Sequence, residues 1–586
     1  MIRARRALAL PALLLPILCA RAGGGKAAGP ARLRITYPEG RLTTRHTRLR
    51  IAGSCDPSCA VSIAGAPSRV YPTGAFVGFL PIPPGGSSLP VVAECRGGRE
   101  EARVDVECRD PLLTSPVSPL TMEGGMSSPS ADTVLQPGDE LHLRCKGSPG
   151  MRASWSLGGV VADAPMKEGP PLRGDDGTEI RGIYRASYTV REGDRASAAG
   201  VRFRIRDARG RAVSAGSPGR ITLVPHPRIT RGGIGKEGAP ASDEPGGARA
   251  WRLEPGSRVN LCGESGDAWR VLLAAGTRCW VPKKYVRQVR GEGAWPLSTA
   301  GAPSVERTER GATVRIPLDG APPMRVSGGK AFDEISVELF GVSPAPGNRR
   351  AGGAGPVETV EIPATEADIL EAIVKTRGTP WGYAARRTPD GIALDVKAPP
   401  GRDPSNLTVA IDPGHGGAQA GAVSPTGVKE KDVNLAVARG AAAFLRRRGV
   451  RVVMTRDDDR ALTLDERIDR ARRGGAQILV SVHHDSCPGC CDPLSRRGAG
   501  AYYGAQHSEA LAEAILSSLE AGGAISRGTR RAGYAVTAPT DFLAVLVECR
   551  YLSHPDDEAQ ILDDGYALRT GGQIGAGVLD FLRRAG

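Results

Sequence analysis

Aromatic residues are scarce in this chain: 6 Trp, 11 Tyr and 8 Phe make up 4% of 586 positions. They do not interleave with basic clusters, and no finger-type Cys/His spacing occurs, so nucleic acid is not expected as a partner. Long hydrophobic runs are also missing. After the first twenty or so residues no segment is apolar enough to cross a bilayer, and no later transmembrane segment is expected. Histidine numbers only 8, which makes its placement informative: His415, His483, His484, His507 and His554 all fall in the last third. Paired Cys-x-x-Cys motifs are absent as well. Cys487-Pro-Gly-Cys-Cys491 has metal-ligand spacing but no second matching pair nearby, so disulfides or free thiols are expected there rather than a structural zinc.

What is plentiful is glycine (78), proline (47) and basic charge, with a formal net of +15. The length requires several domains, and the glycine and proline content points to β-rich modules with many turns. Met1-Ile-Arg-Ala-Arg-Arg6, the apolar run Ala7 to Cys19 and the small-x-small Ala20-Arg-Ala22 read as a secretory signal peptide over residues 1–22. Leu18 precedes Cys19 where a lipoprotein would carry a small residue, so a lipid anchor at Cys19 ranks second to simple export to the periplasm or cell envelope. An exported protein with excess arginine suits an anionic envelope polymer or lipid surface, although a merely solvated arginine-rich surface has the same composition. Without the leader the cysteines are odd in number. Cys55, Cys59, Cys95 and Cys108 could make two bridges, Cys262 and Cys279 a third, and Cys549 is a candidate partner for one of the three at 487–491.

Short alternating runs organise the upstream chain. Residues 23–112 and 113–228 each read as a β-sandwich of immunoglobulin-like kind, with strands such as Leu33-Arg-Ile-Thr-Tyr37 and Glu140-Leu-His-Leu-Arg-Cys145. Residues 229–247, rich in glycine, proline and charge, read as a linker. Residues 248–290, with Ala268-Trp-Arg-Val-Leu-Leu273 and Thr277-Arg-Cys-Trp-Val281, resemble a bacterial SH3-like barrel, in which Trp269 and Trp280 are either a wall-binding face or the small core. Residues 291–400 read as a β-rich accessory domain with one short helix at Ile369 to Thr376, and a last domain spans 401–586.

Candidate chemistry lies in that last domain. The run Leu407 to Ile411 is strand-like, and Pro413 with the glycines of Ile411-Asp-Pro-Gly-His-Gly-Gly417 halts it, bringing His415 to a strand's C-terminal edge. Ile478-Leu-Val-Ser-Val-His483 ends the same way. Glu430 opens a helix expected over Lys429 to Arg448, where it could also be a solvated first-turn carboxylate favoured by the helix dipole. If the strands are parallel neighbours, these ends converge on one crevice. Two imidazoles and a carboxylate are the donor set of catalytic zinc sites with an open fourth position. Glu548 closes the strand Phe542-Leu-Ala-Val-Leu-Val547 and is placed to act as general base, unless it is paired with Arg550. His484 is expected to lie behind the site or to face substrate, and the His483/His484 roles could be reversed. Asp412 or Asp485 is a candidate to orient a ligand ring.

These motifs resemble the zinc-dependent N-acetylmuramoyl-L-alanine amidases of the bacterial cell wall. The resemblance covers about Leu407 to the C-terminus, through Ala410-Ile-Asp-Pro-Gly-His-Gly-Gly417, Glu430-Lys-Asp-Val-Asn-Leu435, Thr455-Arg-Asp-Asp458, Leu464-Asp-Glu-Arg467, Ser481-Val-His-His-Asp485 and Leu546-Val-Glu-Cys-Arg-Tyr-Leu-Ser553. It implies an α/β/α sandwich with a mostly parallel sheet. It also implies Zn2+ on His415, Glu430 and His483, Glu548 as the catalytic carboxylate, and peptidoglycan as substrate, cut between the lactyl group of N-acetylmuramic acid and L-alanine. Wall binding through the SH3-like and β-rich modules is a further expectation. The chain departs from the family at Gln419-Ala-Gly-Ala422, Cys549-Arg550 and Leu552-Ser-His554, none of which removes a ligand or the base. Ser486 to Gly500 is too short for the long helix that blocks the metal in some relatives. The rivals are another zinc peptidase or amidase of the envelope and a non-catalytic wall-binding protein.

Overall fold

The computed structural model describes residues 33–585, apart from 175, 227, 248–250, 330–332, 344–346 and the side chain of 292. The expected leader, with Cys19, lies outside the described residues. Residues 408–585 build one six-stranded sheet flanked by helices. In chain order the elements are β1 (Thr408–Pro413), α1 (Glu430–Arg446), β2 (Arg451–Met454), α2 (Leu464–Arg473), β3 (Ile478–Asp485), β4 (Ala499–Tyr503), α3 (Glu509–Ala521), β5 (Ser526–Arg531), β6 (Leu543–Tyr551), α4 (Pro555–Ile561) and α5 (Tyr566–Ala585). The strand order is β2-β1-β3-β6-β4-β5. The first four are parallel neighbours, while β4 runs antiparallel to β6.

The near-continuous apolar runs of β1, β3 and β6 follow from burial on both faces. On one face Val409, Val480 and Val545 join α1, α3 and α5 in a single core; on the other Ala410, Leu479 and Ala544 meet Ile468 and Ala471 of α2. α1 and α5 approach closely because Gly571 faces the α1 backbone, where a methyl group would sit 2.5 Å from the Val437 carbonyl oxygen. α2 starts on a capping box in which Thr463 and Glu466 satisfy each other's backbone N–H groups.

The upstream residues are strand-rich, and here two expectations fail. Residues 229–247 are not a linker. Thr230–Ile234 pairs with both Arg258–Ser265 and Val286–Glu292, and Ala239–Ala241 pairs with Trp251–Leu253. Their glycines and prolines turn the chain between strands of the module, and Ile234, Ala239 and Leu253 are buried in its core. Ile369–Thr376 is a strand rather than a helix, with buried residues at every second position. Leu370, Ala372 and Val374 fill the inner face of a five-stranded sheet, and period two outweighs the helical propensity of Leu370, Glu371 and Ala372.

One sheet runs across an expected domain boundary: Thr133–Leu135 pairs with Ala212–Leu223 and with Arg258–Ser265. Of the expected disulfides only Cys59–Cys95 forms upstream, closing the strand pair on which Ala60 faces Glu94. Cys55 and Cys108 are buried thiols. Cys262 and Cys279 stay apart because the strand Ala268–Ala274 runs between theirs; two inter-strand spacings, roughly 10 Å, exceed disulfide reach. Cys487 bridges Cys491, and Cys549 is a buried thiol.

Both ends of the upstream half rest on the last domain. The Arg50 N–H donates to the Gly489 carbonyl at 2.7 Å, and its guanidinium donates to that of Cys487 at 2.9 Å. Trp381 packs on Phe581, and the Tyr383 N–H donates to the Thr540 carbonyl.

Candidate functional site

His415 sits just past the end of β1 with a left-handed backbone, φ 61°, a conformation uncommon outside glycine. Two buried arginines hold the turn. Arg467 of α2 donates to the carbonyls of Pro413 and His415, each at 2.7 Å, while Arg456 donates to those of Pro413 at 3.0 Å and Gly414 at 2.8 Å. Glycines make the turn possible for a second reason. A methyl group on Gly414 would collide with the His483 ring, and one on Gly421 would lie 2.6 Å from His415 Cδ2 and closer still to Glu430 Oε2.

The three expected ligands converge. Glu430, the first residue of α1, accepts on Oε2 from His415 Nε2 at 3.0 Å and on Oε1 from His483 Nδ1 at 2.9 Å. The two rings stand edge to face, 5.1 Å between centroids. One donor atom from each residue lies within 4.8 Å of the others, a cluster that could hold a metal ion. The side chains of His415 and His483 keep 31% and 18% of their surface, so solvent reaches the cluster. Burial is the largest influence on the Glu430 carboxyl and raises it, but hydrogen bonds from both rings and their charge together carry it well below the usual carboxylate range. It therefore presents a full negative charge at the start of α1, where the helix dipole adds support.

Glu548 lies beside this cluster, in register with His483 across the β3–β6 pair. It is half-buried, and its buried Oε2 has no hydrogen-bond partner. Burial, then the charges of Asp485 and Glu430, push its carboxyl well above the ordinary range. It is not paired with Arg550, which faces Asp557 at 3.6 Å.

Two expectations about neighbouring residues are corrected and one is narrowed. His484 lies behind the site, one of its two expected places, and does not hold the ligand position. The side-chain alternation of β3 turns it to the opposite face, where it bonds Asn434 and the Tyr566 hydroxyl, each at 2.8 Å, and burial pulls it down to about 3. Asp412 does not orient a ligand ring: its oxygens accept from Thr455, from Arg467 at 2.8 Å and from Ser481 at 2.7 Å. Asp485 bonds the Tyr551 hydroxyl and the Ser486 N–H instead of an imidazole. The β3–β4 connection carries one short turn, Pro493–Ser495, and no α-helix.

The residues that sequence reasoning left without a role are Arg456, Arg467 and Asn434. Asn434 donates to Glu430 Oε1 at 3.1 Å and to the Gly414 carbonyl at 3.3 Å, linking ligand, turn and His484. All three stand inside quoted motifs, so the available signal was an arginine in Thr-Arg-Asp-Asp and another in Leu-Asp-Glu-Arg, each too polar for an apolar layer without carbonyls to hold.

A profile of the N-acetylmuramoyl-L-alanine amidases matches residues 409–580. This part of the chain belongs to the N-acetylmuramoyl-L-alanine amidase family. The amidase domain is 36% identical over 159 residues to the probable cell wall amidase LytH of Staphylococcus epidermidis, an alignment covering 27% of this chain and 52% of that protein. The chain thus spans about half the length of the curated relatives it matches. Among solved structures it is similar to the amidase AmiC2 of Nostoc punctiforme, with 33% identity, a TM-score of 0.29, and coverage of 30% of this chain and 98% of that one. The CwlV amidase catalytic domain of Bacillus (Paenibacillus) polymyxa gives 32% identity, a TM-score of 0.29 and the same coverage.

Proposed function

We propose that the protein is an exported zinc enzyme that hydrolyses the amide between the lactyl group of N-acetylmuramic acid and L-alanine in peptidoglycan. The observation that carries this reading is the pairing of a His/Glu/His cluster with a separate carboxyl whose buried oxygen lacks a partner. The donor set fits zinc: two imidazoles and one carboxylate, with the glycines at 414 and 421 leaving the space around them clear. Zinc held by His415, Glu430 and His483 would supply Lewis acidity toward the scissile carbonyl and toward water.

The chain's own residues do the rest. Glu548 Oε2, unoccupied by any internal donor, takes the proton of the attacking water. Water oxygen bonds the carbonyl carbon, the carbon–nitrogen bond breaks, and Glu548 returns the proton to the amine of L-alanine. A raised carboxyl suits both halves of that transfer, because an ordinary one would hold its proton too weakly to deliver it near neutral pH. Arg456 and Arg467 keep the His415 turn in place during turnover.

Upstream, residues 33–110 and 113–224 support a reading as immunoglobulin-like sandwiches and residues 230–292 as an SH3-like barrel. With the strand-rich region to 397 they would hold the enzyme at the wall. Digestion of purified sacculi is the test: the products should carry free lactyl carboxyls and stem peptides with L-alanine at their N-terminus. Peptides cut internally would instead establish a peptidase. Glu548→Ala should lower the rate by about 10²–10⁴-fold while retaining zinc, and Glu430→Ala should lose zinc by elemental analysis. Equal clearing by wild type and Glu548→Ala in a zymogram would refute the assignment.

A further inference from the structure

The wall of the cleft on the β4–β5 side carries charges that the proposed hydrolysis does not use. Directly across from Glu548, in register on β4, stands Gly500, which has no side chain. A methyl group placed there would lie 3.8 Å from both Arg527 Cβ and Tyr502 Cε2, so these two residues flank the bare patch that faces the proposed base. Arg527 is held over the Tyr551 ring, 5.3 Å from its centroid. Tyr502 meets Tyr534 edge to face at 5.5 Å, and Arg530 sits opposite Tyr502 in the β4–β5 register. Tyr534 and Arg530 are exposed.

Several cations of this domain are matched by acids, whereas Arg530, exposed, and Arg527, half-buried, are not. Arg460 pairs with Asp458, Arg472 with Asp541 and Arg497 with Asp556. Among the described residues no carboxylate lies within ion-pair distance of Arg527 or Arg530. The acids nearest the patch are already engaged or reserved: Asp485 bonds Tyr551 and Ser486, and Glu548 is the proposed base. The wall thus presents guanidinium groups on an aromatic backing with nothing of its own to neutralise them.

We propose that Arg527 and Arg530 form a carboxylate-binding wall that seats the stem-peptide side of the substrate, with Tyr502 and Tyr534 beneath the peptide backbone. This rests on the amidase reading above. The substrate's chemistry selects the side. The lactyl carboxyl is consumed in the scissile amide and the N-acetylated sugars are uncharged, so anionic groups near the bond lie on the peptide. Guanidinium recognises carboxylate with two parallel, charge-assisted hydrogen bonds. The glycan is then left to the opposite side, beside His415 and Gly417.

The experiment compares two soluble muramyl peptides, one with free stem carboxylates and one with the same carboxylates amidated. The wild type should favour the free form about 10-fold in kcat/KM, chiefly through KM, and Arg530→Gln or Arg527→Gln should bring that ratio toward one. A ratio of one in the wild type, or a ratio that both variants leave intact, overturns the proposal. Should the wild type cleave neither compound, the amidase reading fails by itself. Titration of the free, sugar-less stem peptide into zinc-loaded protein then judges the wall: binding that weakens about 10-fold in the variants supports it, and absent or unaltered binding overturns it. Thermal melting of each variant checks that the fold is intact.

Discussion

Buried charge serves different ends in the two halves of this molecule. In the amidase domain, Arg456, Arg467, Asp412 and Glu430 lie together beneath the C-terminal edge of the sheet, and their bonds run to the backbone of one turn and to the cluster it carries. Upstream, Arg270 and Arg278 converge on Asp139 across the seam between two modules, and Lys146 meets Glu123 and Ser115 within one. The first arrangement shapes a site; the second ties strands together away from it. Desolvating an ion pair is expensive in either setting, and losing one partner strands the other. The energetic penalty should therefore be alike in both halves and the functional penalty should not.

Paired variants test that contrast most directly. Arg467→Met leaves Asp412 unpaired and frees the His415 carbonyl. It should cost about 3–5 kcal/mol in denaturant unfolding and at least about 100-fold in activity. Asp139→Leu strands the buried Arg270 and should cost a similar amount of stability yet keep kcat/KM within about twofold, since Asp139 does not touch the site. A comparable activity loss in both would erase the distinction. A smaller effect is expected from Gly421→Ala, which places a methyl group against His415 and Glu430 at a backbone φ of 68°. Zinc affinity measured by competition with a chelator should fall about 10–100-fold, while Gly500→Ala, which meets only ordinary contacts, should leave zinc affinity as it is.

A pH-dependent effect concerns the seam between the halves. His507 is buried against Tyr383, 5.2 Å between ring centroids, and burial pulls it down to about 4. The unfolded chain binds this proton more readily than the folded one, so the stabilisation is complete above about pH 6.5 and is lost as pH falls through 4. The loss should approach about 3 kcal/mol by the foot of that window. Thermal melts between pH 7 and 4 should show the slope in the wild type and a flatter one in His507→Leu; parallel slopes would assign the pH dependence to other groups.

The elements that carry the candidate site were legible because donor residues and folding signals coincide. β1 and β3 are apolar runs ended by histidine, and a helix begins at Glu430, so alternation, punctuation and donor type agree. The upstream half carried folding information alone. Thr230–Ile234 is a strand despite its two glycines because partners on both sides supply its hydrogen bonds. Ile369–Thr376 is a strand because a sheet was there to receive its inner face. The partners of Thr230–Ile234, and Glu334–Phe340 beside Ile369–Thr376, are distant in sequence, so local composition pointed elsewhere. The adjacent histidines make the same point within the site: Nδ1 of His483 finds Glu430 and that of His484 finds Asn434, a difference set only by which face of β3 each occupies.

By itself the sequence determined the donor set, His415, Glu430 and His483, the separate Glu548, and the strand and helix ends that carry them, because spacing and residue type survive without a partner in view. Tertiary structure alone decided that Arg456 and Arg467 brace the His415 turn, that Glu548 keeps a buried, unpaired oxygen, that Asp412 serves the scaffold, and that Arg527 and Arg530 stand near Glu548 without acidic partners. Those properties depend on what lies across from a residue, and in a parallel sheet that neighbour comes from a distant part of the chain.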